Sequence, residues 1–182
     1  NSFFACITDH DKMCHFLHNS SVYLLYACLT VNYNIAKLSA TSEIISLRYE
    51  YHHGISRLDH SLSVAKLTFN LCKLFKINTI KETTRAALLH DFFHNREDSS
   101  FKGHPKTALE NAKREFNINK MQEDIIYNHM FPATLRFPKY KETWLVSASD
   151  KLIAIKECTK YKIPMKIGAT FLFLFEFMII QR

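Results

Sequence analysis

The chain has 182 residues, 47% of them apolar, and a formal net charge of +7 at neutral pH. It holds only 3 glycines and 4 prolines, against about 13 glycines at average usage. That scarcity excludes turn-rich sandwiches, barrels and doubly wound sheets, excludes a phosphate loop built from Gly54, Gly103 and Gly168, and leaves an all-α fold, a single-domain helical bundle long enough to bury a sizeable core.

In chain order, residues 1–20 give no clear element. Val22–Leu38 and Ser42–His52 read as helices, the second ending at Gly54 as a C-cap. His60–Phe75 carries His60, Val64, Leu67, Leu71 and Phe75 on one helical face. Thr79 and Glu82 have capping-box spacing and open a helix running to about His94. A polar loop, 95–103, follows, and Pro105 suits the first position of the next helix, whose Ala108, Leu109, Ala112 and Phe116 point inward. Asn119 and Gln122 form a second cap-like start, for a helix through Ile125, Ile126 and His129. Pro132 and Pro138 interrupt the chain. Lys139–Lys160 then reads as a long helix with Trp144, Ala148 and Ile155 on one stripe and Val146, Asp150 and Ile153 on the next.

Three segments are expected within one domain: an N-terminal helical segment, 1–50, packing on a core; a central part, 51–165; and an apolar C-terminal segment, 166–182. Val22–Leu29 and Ala169–Ile180 are each shorter than the about 20 apolar residues a membrane span needs, so both read as core or interface helices. The apolar tail is a candidate contact for a homo-oligomer. Charge is uneven, with 22 basic and 14 acidic residues over 48–182 against 2 and 3 over 1–47. A basic domain attracts anions. There is no dense Lys/Arg run, zinc-finger spacing or RNA-binding motif, so no specific nucleic acid is expected. Five cysteines, odd in number and without a CxxC pair, fit a reducing compartment and a cytoplasmic protein. The first eleven residues lack Lys and Arg, so no secretory signal is expected.

Six residues carry the chemistry: His60, His90, Asp91, His104, His129 and Asp150. All lie at or near apolar helix faces, where imidazole and carboxylate cost free energy unless paired or bound to a cation. Asp91 is the sharpest case, set between Leu88-Leu89 and Phe92-Phe93. Imidazole nitrogen and carboxylate oxygen held on rigid elements are what borderline divalent metals select. The order His60, His90-Asp91, Asp150 resembles the HD-domain superfamily of metal-dependent phosphohydrolases. The resemblance rests on Arg57-Leu-Asp-His60-Ser-Leu-Ser-Val-Ala65, Ala87-Leu-Leu-His90-Asp91-Phe-Phe and Ser149-Asp150-Lys151, and covers about Tyr51 to Lys160. Gly103-His104-Pro105 and Asn128-His129-Met-Phe-Pro132 resemble the extra ligands of its binuclear members.

The resemblance implies a metal-binding domain in which His60, His90, Asp91 and Asp150 hold one cation, and Asp91 bridges to a second held by His104 and His129. It implies two divalent transition metals (Fe, Mn, Zn, Co or Ni, with Mg an alternative) and a small anionic phosphate-containing substrate. Hydrolysis would follow attack of a metal-bridging hydroxide on the phosphate ester of a nucleotide or small metabolite. An HD-type di-iron oxygenase and a non-catalytic metal- or nucleotide-binding module are the alternatives. Asp91 is the central catalytic candidate. Lys151 could contact phosphate or make a structural ion pair, and Arg57 could clamp substrate or pair with Asp59. His94 stands one helical turn after His90, where some related families carry a lysine, and the Gly-Tyr-Pro signature of the subgroup acting on a cyclic dinucleotide is absent. That substrate is therefore not carried over. His52 and His53 could orient a ligand or cap a helix. Lys102, Lys106, Arg136, Lys139 and Lys141 could form a basic rim or a solvated face.

Overall fold

A computed structural model describes Leu38 and residues 41–52, 55–97, 100 and 102–160. The helix expected over 22–38, apart from a helical and buried Leu38, and the apolar tail lie outside the described residues. Six α-helices dominate what is described: α1 (Ser42–Ser46), α2 (Arg57–Leu74), α3 (Ile80–Leu89), α4 (His104–Glu115), α5 (Lys120–Asn128) and α6 (Lys141–Lys160). The all-α bundle read from the glycine count is the observed fold. Among the described residues no helix is long and apolar enough to cross a membrane.

The helix expected over 42–52 is a correction. α1 stops at Ser46, a 3₁₀ turn covers Leu47–Tyr49, and a short antiparallel hairpin follows, pairing Tyr51 with Ser56 and His52 with Ile55. Two-residue strands leave no period-2 pattern to read, and the expected C-cap at Gly54 lies outside the described residues. The hairpin delivers the chain into α2 through Ser56, whose Oγ accepts from the Asp59 amide at 3.1 Å and donates to Asp59 Oδ2 at 2.7 Å. That N-cap starts α2 three residues before the expected His60.

α3 is the enclosed element. Ala86, Ala87, Leu88 and Leu89 are all fully buried, and four successive helical residues point in every direction around the axis. α2, α5 and α6 surround it, and the small Ala86 and Ala87 let them approach closely. Leu58, Leu62 and Val64 of α2, Ala108 and Ala112 of α4, Ile125 and Ile126 of α5 and Val146 of α6 complete the core around it. A buried leucine or isoleucine of this kind contributes about 1.5–3 kcal/mol.

α3 also ends sooner than expected, at Leu89 and not near His94. His90, Phe92 and Phe93 are buried and Asp91 is partly so. The chain turns there, with the Phe92 and Phe93 amides donating to Leu89 O and Asp91 O. Thr79 makes no side-chain cap bond; its hydroxyl donates to Glu142 Oε1 at 2.8 Å. Asn119 does form its capping box, Oδ1 accepting from the Gln122 amide at 2.9 Å and Gln122 Oε1 from the Asn119 amide at 3.0 Å.

Candidate metal centre

Five segments converge at one end of α3. His60 projects from the first turns of α2, His90 and Asp91 follow the last residue of α3, His104 opens α4, His129 follows the last residue of α5, and Asp150 lies midway along α6. Helix ends explain three of these placements. An α-helix leaves its last carbonyls unpaired. His90 Nδ1 donates to Ala87 O and His129 Nδ1 to Ile126 O, each at 2.8 Å. His104 Nδ1 donates to Ser100 O at 3.0 Å. Each ring is thus locked by local backbone, and each, when neutral, turns an unprotonated Nε2 toward the centre.

Those Nε2 atoms meet one another and two carboxylates. His104 Nε2 and His129 Nε2 are 3.2 Å apart, an arrangement of two acceptor lone pairs that requires a shared cation, proton or metal. Asp91 Oδ1 lies 3.6 Å from both, while its Oδ2 lies 3.6 Å from His90 Nε2. Asp150 Oδ1 is 3.1 Å from His60 Nε2 and 3.7 Å from His90 Nε2. Separations of 3.6 Å are too long for hydrogen bonds. They suit donors sharing a cation, since two ligands each about 2.1 Å from one ion sit ~3–3.5 Å apart. His90 Nε2 and Asp91 Oδ1 are buried without a hydrogen-bond partner, a state native interiors avoid unless something else satisfies the atoms. The ligand atoms of His60, His90 and Asp150 lie within 4.8 Å of one another, and so do those of His90, Asp91 and His129. His90 belongs to both triads. The residues present fit a metal site.

The charges agree with a cation-binding cluster. Burial opposes a charge on His60, but the hydrogen bonds it donates to Asp150 and Glu157 overcome it and push its pKa up to about 10. Burial also opposes charge on His90, yet Asp91 and Asp150 raise its pKa. His129 goes the other way, down to about 3, through burial and the neighbouring His90. Asp91 is held well below the usual carboxylate range because His90, His104 and His129 outweigh the cost of its burial. Asp150 is depressed in the same way, the cost of burial being outweighed by its hydrogen bond to His60 and by the nearby charge of His90.

The structure thus brings together all six residues that the sequence singles out. The other candidates go elsewhere. Arg57 is buried and lies flat on Phe93, 3.7 Å from the ring centroid, with Nη2 donating to Asn95 Oδ1 at 2.7 Å. Asp59 Oδ2 accepts from Ser56 Oγ at 2.7 Å. Lys151 Nζ donates to His129 O at 2.9 Å, Ser147 O at 3.2 Å and Ser147 Oγ at 2.8 Å. Ser147 Oγ in turn donates to His129 O at 2.6 Å. Together they pin the end of α5, and with it His129, to α6. His94 is not on the His90 face, because α3 has ended; its Nδ1 lies 3.0 Å from Glu50 Oε1. Lys102, Lys106, Lys139 and Lys141 are exposed, while Arg136 lies over Tyr127, 4.2 Å from the ring centroid. His10, His15, His18 and His53 lie outside the described residues, as does the side chain of His52.

Sequence reasoning missed Glu157, whose Oε2 accepts from His60 Nδ1 at 2.8 Å. Extending the Asp150 stripe two turns along the helix would have found it. It also missed Asp124, whose buried carboxylate accepts from Asn128 Nδ2, the Lys139 amide and Thr143 Oγ1 at 2.8, 3.0 and 2.6 Å.

A family model of the HD domain matches residues 57–155, more than half of the chain. No curated protein and no solved structure gives a significant match.

Proposed function

The chain belongs to the HD-domain family, and from that premise we propose that it is a metal-dependent phosphohydrolase acting on a nucleotide or other small phosphorylated metabolite. The observation that carries the reading is the pair of triads joined by the buried His90, with Asp91 Oδ2 facing His90 and Oδ1 facing His104 and His129. His60, His90 and Asp150 would hold one divalent cation, and His104, His129 and Asp91 the other, Asp91 reaching both. When bound, such cations supply Lewis-acid charge toward phosphoryl oxygens and acidify water.

The protein's own residues supply placement. Backbone carbonyls fix three imidazoles, and the Ser147–Lys151 clamp keeps the His129 carbonyl in register with Asp150 on the next turn of α6. No glycine loop is needed to cradle phosphate, which agrees with a chain that has 3 glycines. The net positive charge over residues 48–182 favours entry of an anion. The donor set of four imidazoles and two carboxylates suits Mn, Fe, Co, Ni or Zn better than Mg. The reading includes a reducing, cytoplasmic setting, for which the sequence offers five cysteines, an odd number with no CxxC pair.

A screen of nucleotides and sugar phosphates with added Mn²⁺, Mg²⁺ or Co²⁺ tests the activity, with Asp91→Ala as the control. Release of phosphate that disappears in the variant supports the reading. Activity that survives the substitution refutes this site, and oxygen uptake by the Fe²⁺ form without phosphate release would make the chain an oxygenase.

A further inference from the structure

Four histidines converge on the centre, and three of them anchor Nδ1 on a backbone carbonyl of their own segment. His60 cannot do this. It is the fourth residue of α2, where nearby carbonyls are taken up by the helix ladder. Its Nδ1 is served from another helix, by Glu157 Oε2 at 2.8 Å. Glu157 stands seven residues after Asp150 on α6, two turns or about 10 Å along the axis. The imidazole of His60 is therefore held between two carboxylates of one continuous helix, Asp150 at Nε2 and Glu157 at Nδ1.

We propose that Glu157 is a positioning residue for the half of the metal centre formed by His60, His90 and Asp150. It fixes the His60 ring so that Nε2 faces the cation, and its charge makes that nitrogen a stronger donor. The family match ends at residue 155, so Glu157 lies just outside it. The inference rests on the proposed metal centre.

The test is a stepwise Co²⁺ titration of the full chain against a competing chelating indicator, followed by visible absorption, for wild type, Glu157→Ala and Glu157→Gln. Unfolding of the metal-free proteins is measured alongside. Wild type should bind two equivalents. Glu157→Ala should weaken one equivalent by about 10- to 100-fold and change its absorption, leaving the other within about threefold. Glu157→Gln keeps an acceptor for Nδ1 and should weaken the same equivalent less than about tenfold. Unchanged affinities in both variants overturn the inference alone, as does equal weakening of both equivalents in step with a loss of metal-free stability. If Glu157→Ala does not fold, Glu157→Gln decides by the same criterion. Wild type that binds no cobalt refutes the proposed function and this inference together.

Discussion

The proton on His60 links metal binding to pH in a way that can be measured without knowing the substrate. In the metal-free chain the pKa of His60 is about 10, against about 6.5 for an unfolded histidine. A raised histidine pKa stabilises the fold fully below pH ~6.5, and that contribution is lost as pH rises through 10. A cation on Nε2 takes the place of this proton, so the metal-loaded chain has no such loss. Between pH 7 and 9, at fixed free metal, each displaced proton should raise metal stabilisation by ~1.4 kcal/mol per pH unit, or ~2.7 kcal/mol across the window. For a domain of this size that is an extra shift of about 5–11 °C in unfolding temperature. His129, at about 3, is already neutral and adds no proton. The assay is thermal unfolding with and without Co²⁺ in a metal buffer, read as the difference between the two curves so that other titrations cancel. Calorimetry in two buffers of different ionisation enthalpy should show at least one proton released per chain at pH 8. Parallel curves from pH 7 to 9, or no proton release, would refute the assignment of His60 as a ligand that is protonated in the metal-free state.

Asp91→Asn keeps the side-chain shape but removes the charge that faces both halves, and should lower phosphate release at least about 100-fold while the metal-free fold, followed by circular dichroism, persists. Lys151→Met removes three hydrogen bonds at the His129 carbonyl and Ser147, and should cost about 2–3 kcal/mol in urea unfolding. A raised KM with unchanged stability would instead identify Lys151 as a phosphate contact. Burial and the nearby Glu142 push the Cys72 thiol up to about 11, so mass-mapped alkylation of the native protein at pH 7.5 should spare Cys72 and modify it only after unfolding.

The six clustered residues were legible because each is a polar residue at or near an apolar helix face, and burial of such residues needs a compensating partner whatever the tertiary arrangement. What surrounds them was less legible. Thr79 and Asn119 present the same capping pattern, yet only Asn119, whose backbone is extended (φ −91°, ψ 173°), forms the box, while Thr79 (φ −89°, ψ 34°) leaves the extended region that an N-cap needs and sends its hydroxyl to Glu142. The helical period carried past Leu89 puts His94 on the His90 face, but the helix stops at Leu89 and the chain turns there. The hairpin at 51–56 left no periodic trace, and the clamp made by Ser147 and Lys151 depends on a carbonyl, which has no identity in sequence.

These misses share a cause with the site itself. In a bundle almost without glycine, loops cannot wrap a phosphate, and the unpaired groups available for ordering a cluster are those at helix ends. His90 and His129 use the last carbonyls of α3 and α5, and His104 uses the turn leading into α4. Only His60 and Asp150 come from helix interiors, and His60 is where a carboxylate from a distant turn has to replace the missing carbonyl. The length of α3 is therefore part of the site: one more turn of helix would absorb the Ala87 carbonyl into the ladder, free the His90 ring to rotate, and carry Asp91 off the axis shared by both triads. The early end of α3 at Leu89 places His90 and Asp91 just beyond the enclosed helix of the fold, where both face the cluster.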